Sequence, residues 1–215
     1  MKEKKLSKSS LAVFLSRLEG FSDHKVSQEQ YETDSEIAAE VLWNAYLTGD
    51  LKQKSVVDLG CGPGMLGLGA LIMGCRKVLF IDIDKNTLEI AKNNVLRTKS
   101  EGLIENGAEF LEKDVNILIP AELGNFDMVI QNPPFGTKTS HADKVFLEKA
   151  LEIAPLVYSF HKSETLGYLG QILEKKNAKI TRTWGFDFPL KMTQKFHRRQ
   201  IHRIKVSCIR IERVK

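Results

Sequence analysis

Long apolar runs are missing from the 215-residue chain. None approaches the roughly 20 residues that a helix needs to cross a bilayer. The basic start, MKEKKLSKSS, is followed by no signal-type apolar stretch. An intracellular, cytoplasmic protein without a membrane partner is therefore expected. Cysteine is scarce: Cys61, Cys75 and Cys208 lie far apart, form no C-x-x-C pair and cannot all join in disulfides. That usage fits a reducing compartment and argues against a zinc site, so no metal is expected. Repeats, linkers and low-complexity tracts are also absent. One domain spanning 1–215 is the expectation, with 1–50 as an N-terminal helical extension and lid.

What the chain does contain is an ordinary globular balance, 42% hydrophobic and 27% charged residues, with an uneven spread of charge. The formal net charge is +5. From Lys191 to Lys215 there are nine Lys or Arg (191, 195, 198, 199, 203, 205, 210, 213, 215) and one acid, Glu212, giving +8. The other residues hold 23 basic and 26 acidic side chains, or −3. A basic end on a near-neutral body suggests a polyanionic partner, with Lys195, Arg198, Arg199 and Arg203 as candidate phosphate contacts. The alternative is a strand pair whose charge guards a sheet edge.

Hydrophobic periodicity predicts helices near 6–19, 34–47, 64–74, 85–97, 142–154 and 163–177. Thr33 and Glu36 suggest a capping box for the second of these. Strands are predicted at 55–59, 77–82, 108–114, 126–131 and 156–161, followed by two longer ones in AKITRTWGFDF and IHRIKVSCIRI. Alternating strands and helices imply an α/β fold with a mostly parallel sheet and helices on both faces. The last two strands have no helix between them and should pair antiparallel at one edge.

The stretch VVDLGCGPGMLGLG follows the first strand and opens a helix. Glycines there let a ligand approach the backbone at a helix N-terminus, and Gly62-x-Gly64-x-x-Gly67 fits the dinucleotide fingerprint. Packing alone would also explain the glycines. Asp58 at the start of the loop would repel a pyrophosphate but suits a ligand bearing an ammonium and a sulfonium. Asp82 ends the second strand about twenty residues past Gly62, where an acid accepts from ribose hydroxyls. Asp82, and more so Asp84, has helix capping as the alternative. Asp114, with the backbone of Val115, could meet an adenine; a plain surface acid is its rival.

The fourth strand ends in Asn132-Pro133-Pro134-Phe135. It should lie beside the first, where strand order reverses and ligands bind beyond the strand ends. The lone pair of an exocyclic adenine amine is delocalised into the ring. Two acceptors aimed at its two N–H bonds favour a pyramidal nitrogen and free that pair. The Asn132 side-chain oxygen and the Pro133 carbonyl are candidates, with the adjoining prolines as rigid mounts. Phe135 offers a face on which a flipped base can stack. A Pro-Pro turn that merely ends a strand is the alternative.

DLGCGPG, IDID, NPPFGTK and FHKS resemble class I amino methyltransferases. With EQYET and KFHRRQ, nearly the whole chain resembles the methyltransferase-like RNA adenine-N6 family that acts on small-subunit ribosomal RNA. That resemblance implies a Rossmann-like seven-stranded sheet whose last strand is antiparallel, and S-adenosylmethionine as cofactor. It further implies that Gln30 and Thr33 touch the cofactor, together with Gly60, Gly62, Pro63, Asp82, Asp114 and Val115. RNA is the implied partner, with a small zinc-binding activator subunit in some members. Two departures are Pro63, where a backbone contact is expected, and Glu32, in place of a proline in the turn before Asp34.

The rival readings are a glutamine-N5 methyltransferase of release factors, a DNA adenine methyltransferase, and a non-catalytic RNA-binding module. The first typically has Tyr after the prolines and a separate N-terminal domain; the last is opposed by the intact NPPF. An NAD-dependent dehydrogenase is disfavoured by Asp58. His161 and Lys162, at a strand end near the site, are given no catalytic role. The FDFPL turn, with Phe186, Phe188 and Pro189, is either a substrate wall or core.

Overall fold

A computed structural model describes residues 6–21, 33–105, 107–135, 142–191 and 201–214. Helix α1 (Lys8–Leu15) starts at a Ser7–Ser10 capping box. Helix α2 (Ser35–Leu47) is capped by Asp34, whose carboxylate accepts from the Glu36 and Ile37 amides. The cap is thus one residue later than Thr33: the Asp34 carboxylate reaches both amides and leaves the Thr33 hydroxyl for another partner. The chain then alternates β1 (Ser55–Leu59), α3 (Met65–Ile72), β2 (Lys77–Asp82), α4 (Lys85–Ser100) and β3 (Ala108–Glu112). It continues with β4 (Met128–Gln131), α5 (Ala142–Ile153), β5 (Leu156–Lys162), α6 (Leu166–Lys175), β6 (Ala178–Lys191) and β7 (Ile201–Arg213).

The seven strands run in the order β3-β2-β1-β4-β5-β7-β6. The first five are mutually parallel, and β7 runs antiparallel to both its neighbours, β5 and β6. This is the Rossmann-like sheet with an antiparallel member that the sequence implied. The last two strands pair antiparallel at one edge, as expected, with β6 outermost and β7 between it and β5. The SVVDL, MVIQ and LVYSFHK runs are buried almost throughout because both sheet faces are covered.

The twofold alternation along each strand sorts side chains into two cores. Val56, Val78, Phe80, Met128, Ile130, Tyr158 and Phe160 pack with Leu11, Leu15, Leu42, Leu68 and Leu88, the face carrying α1 to α4. Val57, Leu59, Leu79, Ile81, Val129 and Val157 pack with Leu147, Leu151, Leu169 and Leu173 from α5 and α6. The helical face switches between the unit built on β1 to β3 and the unit built on β4 and β5. That reversal opens a crevice beyond the carboxyl ends of β1 and β4, which pair directly. Among the described residues no helix is long and apolar enough to cross a membrane.

Candidate active site

Asp58 and Asp82 sit on β1 and β2, and each is tied to the glycine loop. Asp58 is almost fully buried, and its Oδ2 accepts from the Gly67 amide at 2.7 Å in the first turn of α3. Asp82 Oδ2 accepts from the Gly62 amide at 2.9 Å, and Oδ1 accepts from the Asp84 amide at 2.9 Å. The loop crosses from β1 to α3 with Gly60 and Gly62 at φ of 70° and 54°, in the left-handed region that favours glycine. Gly67 has a different constraint: a Cβ there would stand 2.5 Å from Phe80 Cε1 and 2.9 Å from Asp58 Oδ2. Helix α3 lies that close to β1 and β2 only because position 67 has no side chain. Asp84 caps α4, accepting from the Asn86 amide.

Among the described residues neither Asp58 nor Asp82 pairs with a Lys or Arg. Burial pushes the Asp58 carboxyl up to about 7, against the Gly67 hydrogen bond, and the nearby Asp82 adds to the rise. Burial also raises Asp82, against the Asp84 and Gly62 amides. Two buried, uncompensated carboxylates beside the loop suit a cationic ligand and oppose a polyphosphate.

Pro63 and Asn94 add a fastening that the sequence did not disclose. The buried Asn94, on α4, donates to the carbonyls of Pro63 and Glu19 and accepts from the Glu19 amide. It joins the segment after α1 to the glycine loop. On the far side, the Phe146 ring of α5 stands where a Gly60 Cβ would reach to 2.8 Å. Asp114 caps a short 3-10 turn over Val115–Ile117, its Oδ1 accepting from the Asn116 amide, and Val115 is buried beside it.

The NPPF turn leaves β4 at the crevice. Asn132 Nδ2 donates to Thr33 Oγ1 at 3.0 Å. Asn132 Oδ1 is shielded from solvent and accepts from nothing among the described residues. Thr33 itself is buried. Phe135 is buried and meets the edge of the fully buried Phe188, with ring centroids 5.8 Å apart. Phe188 therefore belongs to the core and backs the aromatic of the NPPF turn. Phe186 packs against Phe160 at 6.4 Å.

Behind the turn runs a buried polar chain. Gln131 Nε2 donates to Ser159 Oγ at 2.9 Å, and Ser159 Oγ lies 2.7 Å from His161 Nε2. The serine oxygen keeps a second lone pair beside the one that Gln131 uses, so the direction of the Ser159–His161 bond follows the imidazole tautomer. Nδ1 faces Asp143 Oδ2 at 3.9 Å, too far for a hydrogen bond. Burial holds the imidazole below its ordinary range, against the pull of the Asp143 carboxylate. His161 is thus joined to β4 through Ser159.

The basic end divides. Gln30, Lys195, Arg198 and Arg199 lie outside the described residues. Arg203 is exposed and donates to the Asp187 carbonyl; Lys205 pairs with the Asp187 carboxylate at 2.6 Å. Arg210 is not available to a polyanion. It clamps Asp50 through Nε at 2.8 Å and Nη2 at 3.2 Å, and also reaches Glu212. Tyr158 and Thr48 donate to the same Asp50 carboxylate.

The family model for the methyltransferase small domain matches residues 26–155. The rRNA N(6)-adenosine-methyltransferase METTL5 of Danio rerio is 32% identical over 91% of this chain and 94% of its own. Its Caenorhabditis elegans counterpart, metl-5, is 33% identical over 93% of this chain and 95% of its own. The crystal structure of PH1948 from Pyrococcus horikoshii superposes with a TM-score of 0.86 at 34% identity, covering 98% of this chain and 99% of that one. The chain belongs to the methyltransferase small domain family, alongside the METTL5 type of rRNA methyltransferase.

Proposed function

We propose that the protein transfers a methyl group from S-adenosylmethionine to the exocyclic N6 of an adenine in structured RNA, with ribosomal RNA as the substrate class. The carrying observation is the Asn132 side chain: its donor end is satisfied by Thr33 and its acceptor end is held dry without a partner. A buried acceptor left unpaired is costly, and a target amine is a group that would satisfy it. The METTL5 relatives supply the choice of adenine and rRNA.

The residues present fit the cofactor. Asp58 and Asp82 provide the negative floor that a sulfonium and an ammonium need, and Asp82 lies where a ribose is held at this kind of strand end. Gly60, Gly62 and Pro63 bring backbone to the ligand, and Asp114 and Val115 receive the adenine ring. Gln30 and Thr33 complete the set on the family resemblance. S-adenosylmethionine bound there supplies the methyl group.

Asn132 Oδ1 and the Pro133 carbonyl accept the two N–H bonds of the target amine, which localises its lone pair. Pro133 and Pro134 fix that geometry before substrate arrives, so no reorganisation is needed during reaction. Phe135, backed by Phe188, stacks on the flipped base. No strong base is required until the product proton leaves. Lys195, Arg198, Arg199 and Arg203 bind the RNA backbone. A small zinc-binding activator subunit is part of the reading on the family resemblance alone.

The test is methyl transfer from labelled cofactor to separated total RNA, DNA and protein. Label in RNA alone is expected. Label in protein would favour glutamine methylation and overturn the substrate assignment.

A further inference from the structure

Thr33 and Asn132 are 99 residues apart, yet their side chains share a hydrogen bond of 3.0 Å. Thr33 stands just before the Asp34 cap of α2, and Asn132 just after β4, so one bond spans the crevice mouth. Helix capping was the role that sequence suggested for Thr33, and Asp34 performs it instead. The Thr33 hydroxyl is thereby left to Asn132 alone among the described side chains. From this geometry we infer that Thr33 is a positioning residue, holding the Asn132 amide so that its oxygen is presented to the target amine.

A primary amide has one acceptor end and one donor end, and rotation by half a turn exchanges them. If Nδ2 faced the substrate, two donors would meet and the amine would be repelled rather than activated. With Nδ2 given to Thr33, the oxygen is the end left over, and it is the one found unpartnered. A hydroxyl can donate as well as accept, so the bond by itself fixes the place of the amide. A target amine, which offers N–H groups, then selects the observed orientation. Pro133 follows directly, so the backbone cannot adjust to compensate for a loose side chain.

This inference rests on the proposed amine chemistry, and the test keeps the two separable. Thr33→Val is close to isosteric and removes the hydroxyl; Thr33→Ser keeps it; Thr33→Ala serves as a second deletion should Val fail to fold, with thermal melts checking all three. Turnover is measured at saturating S-adenosylmethionine, cofactor Kd by calorimetry, and the Asn132 side-chain amide signals by 15N NMR in the free protein. Thr33→Val should lower kcat on the order of 10–100-fold, as displacement of a catalytic group does. Kd should change less than kcat, and the Asn132 amide signals should move. Thr33→Ser should restore both readouts.

Wild-type kcat in Thr33→Val with a weakened cofactor Kd would make Thr33 a cofactor contact only and overturn the inference. An unmoved Asn132 amide signal, or Thr33→Ser as impaired as Thr33→Val, would overturn it as well. If wild-type protein yields no methylated adenine, the proposed function fails, and the amide signals still decide whether Thr33 holds Asn132.

Discussion

Replacing Asn132 with Ala should separate stability from function. The substitution removes two things of opposite sign. Loss of the Nδ2–Thr33 hydrogen bond of 3.0 Å leaves the buried Thr33 hydroxyl without that partner and costs about 1–3 kcal/mol. Loss of the buried, unpartnered Oδ1 returns a desolvation penalty of about 1–3 kcal/mol. The two nearly cancel, so the free protein should unfold in urea within about 1 kcal/mol of wild type. Turnover should instead fall by about 10²–10³, as when one preorganised catalytic hydrogen bond is removed. An asparagine kept for structure alone would have both ends bonded and would lose stability without losing turnover. Urea unfolding of the cofactor-free protein and methyl transfer at saturating cofactor distinguish the cases. A variant destabilised by about 2 kcal/mol or more with near-normal turnover would refute the reasoning.

Asp58 should give the cofactor site a pH dependence. Its folded pKa, about 7, is raised above the ordinary 3.8, so the folded chain holds a proton that the unfolded chain has lost between those values. Its contribution to stability is therefore fully present below about 4 and is lost as pH rises towards 7. Asp58→Asn should lack this slope in urea titrations across that window, and a shared slope would contradict the assignment. A cationic ligand favours the carboxylate, so calorimetry should show S-adenosylmethionine binding more tightly from pH 6 to 8 in wild type, with proton release. Gly67→Ala gains about 1 kcal/mol of helix propensity but drives a Cβ into Phe80 and Val78 at 2.5 and 2.9 Å. Overpacking of that kind costs about 1–3 kcal/mol, so urea unfolding should show a net loss, and none would mean that α3 shifts freely. Changing Lys195, Arg198, Arg199 and Arg203 to Gln should weaken RNA binding. It should also flatten the plot of log affinity against log salt by about 0.7–0.9 per lost phosphate contact. An unchanged slope in filter binding would leave the charge as edge protection.

The architecture was legible because its signals are local. Strand–helix alternation, the glycines after SVVDL and the proline pair after MVIQ each announce themselves within a few residues. The strand order of a doubly wound sheet then places β4 beside β1. What was not legible depends on partners distant in sequence. Nothing near Arg210 announces that Asp50, 160 residues earlier, takes its charge, so the formal charge of the basic end exceeds what is open to a ligand. Thr33 read as a cap because Thr-x-x-Glu is a cap pattern. The neighbouring Asp34 took that role, and only the fold brings Asn132 to Thr33. Asn94 is one of several polar residues along α4 with no local sign of its role, yet it is buried and binds two segments at once. The order of the last two strands was hidden too. A hairpin can dock by either strand, and the apolar Val206, Cys208 and Ile209 of β7 are what seat it against β5.

The identity of the methylated nucleoside is the most direct measure of the central claim. Protein-free small-subunit ribosomal RNA is incubated with labelled S-adenosylmethionine and either wild-type protein or the Asn132→Ala variant, digested to nucleosides and resolved by liquid chromatography with mass detection. Label should appear in N6-methyladenosine with wild type and fall by about two to three decades with the variant. Label in a different nucleoside, or equal label with both proteins, would contradict the assignment of the NPPF turn to an adenine amine.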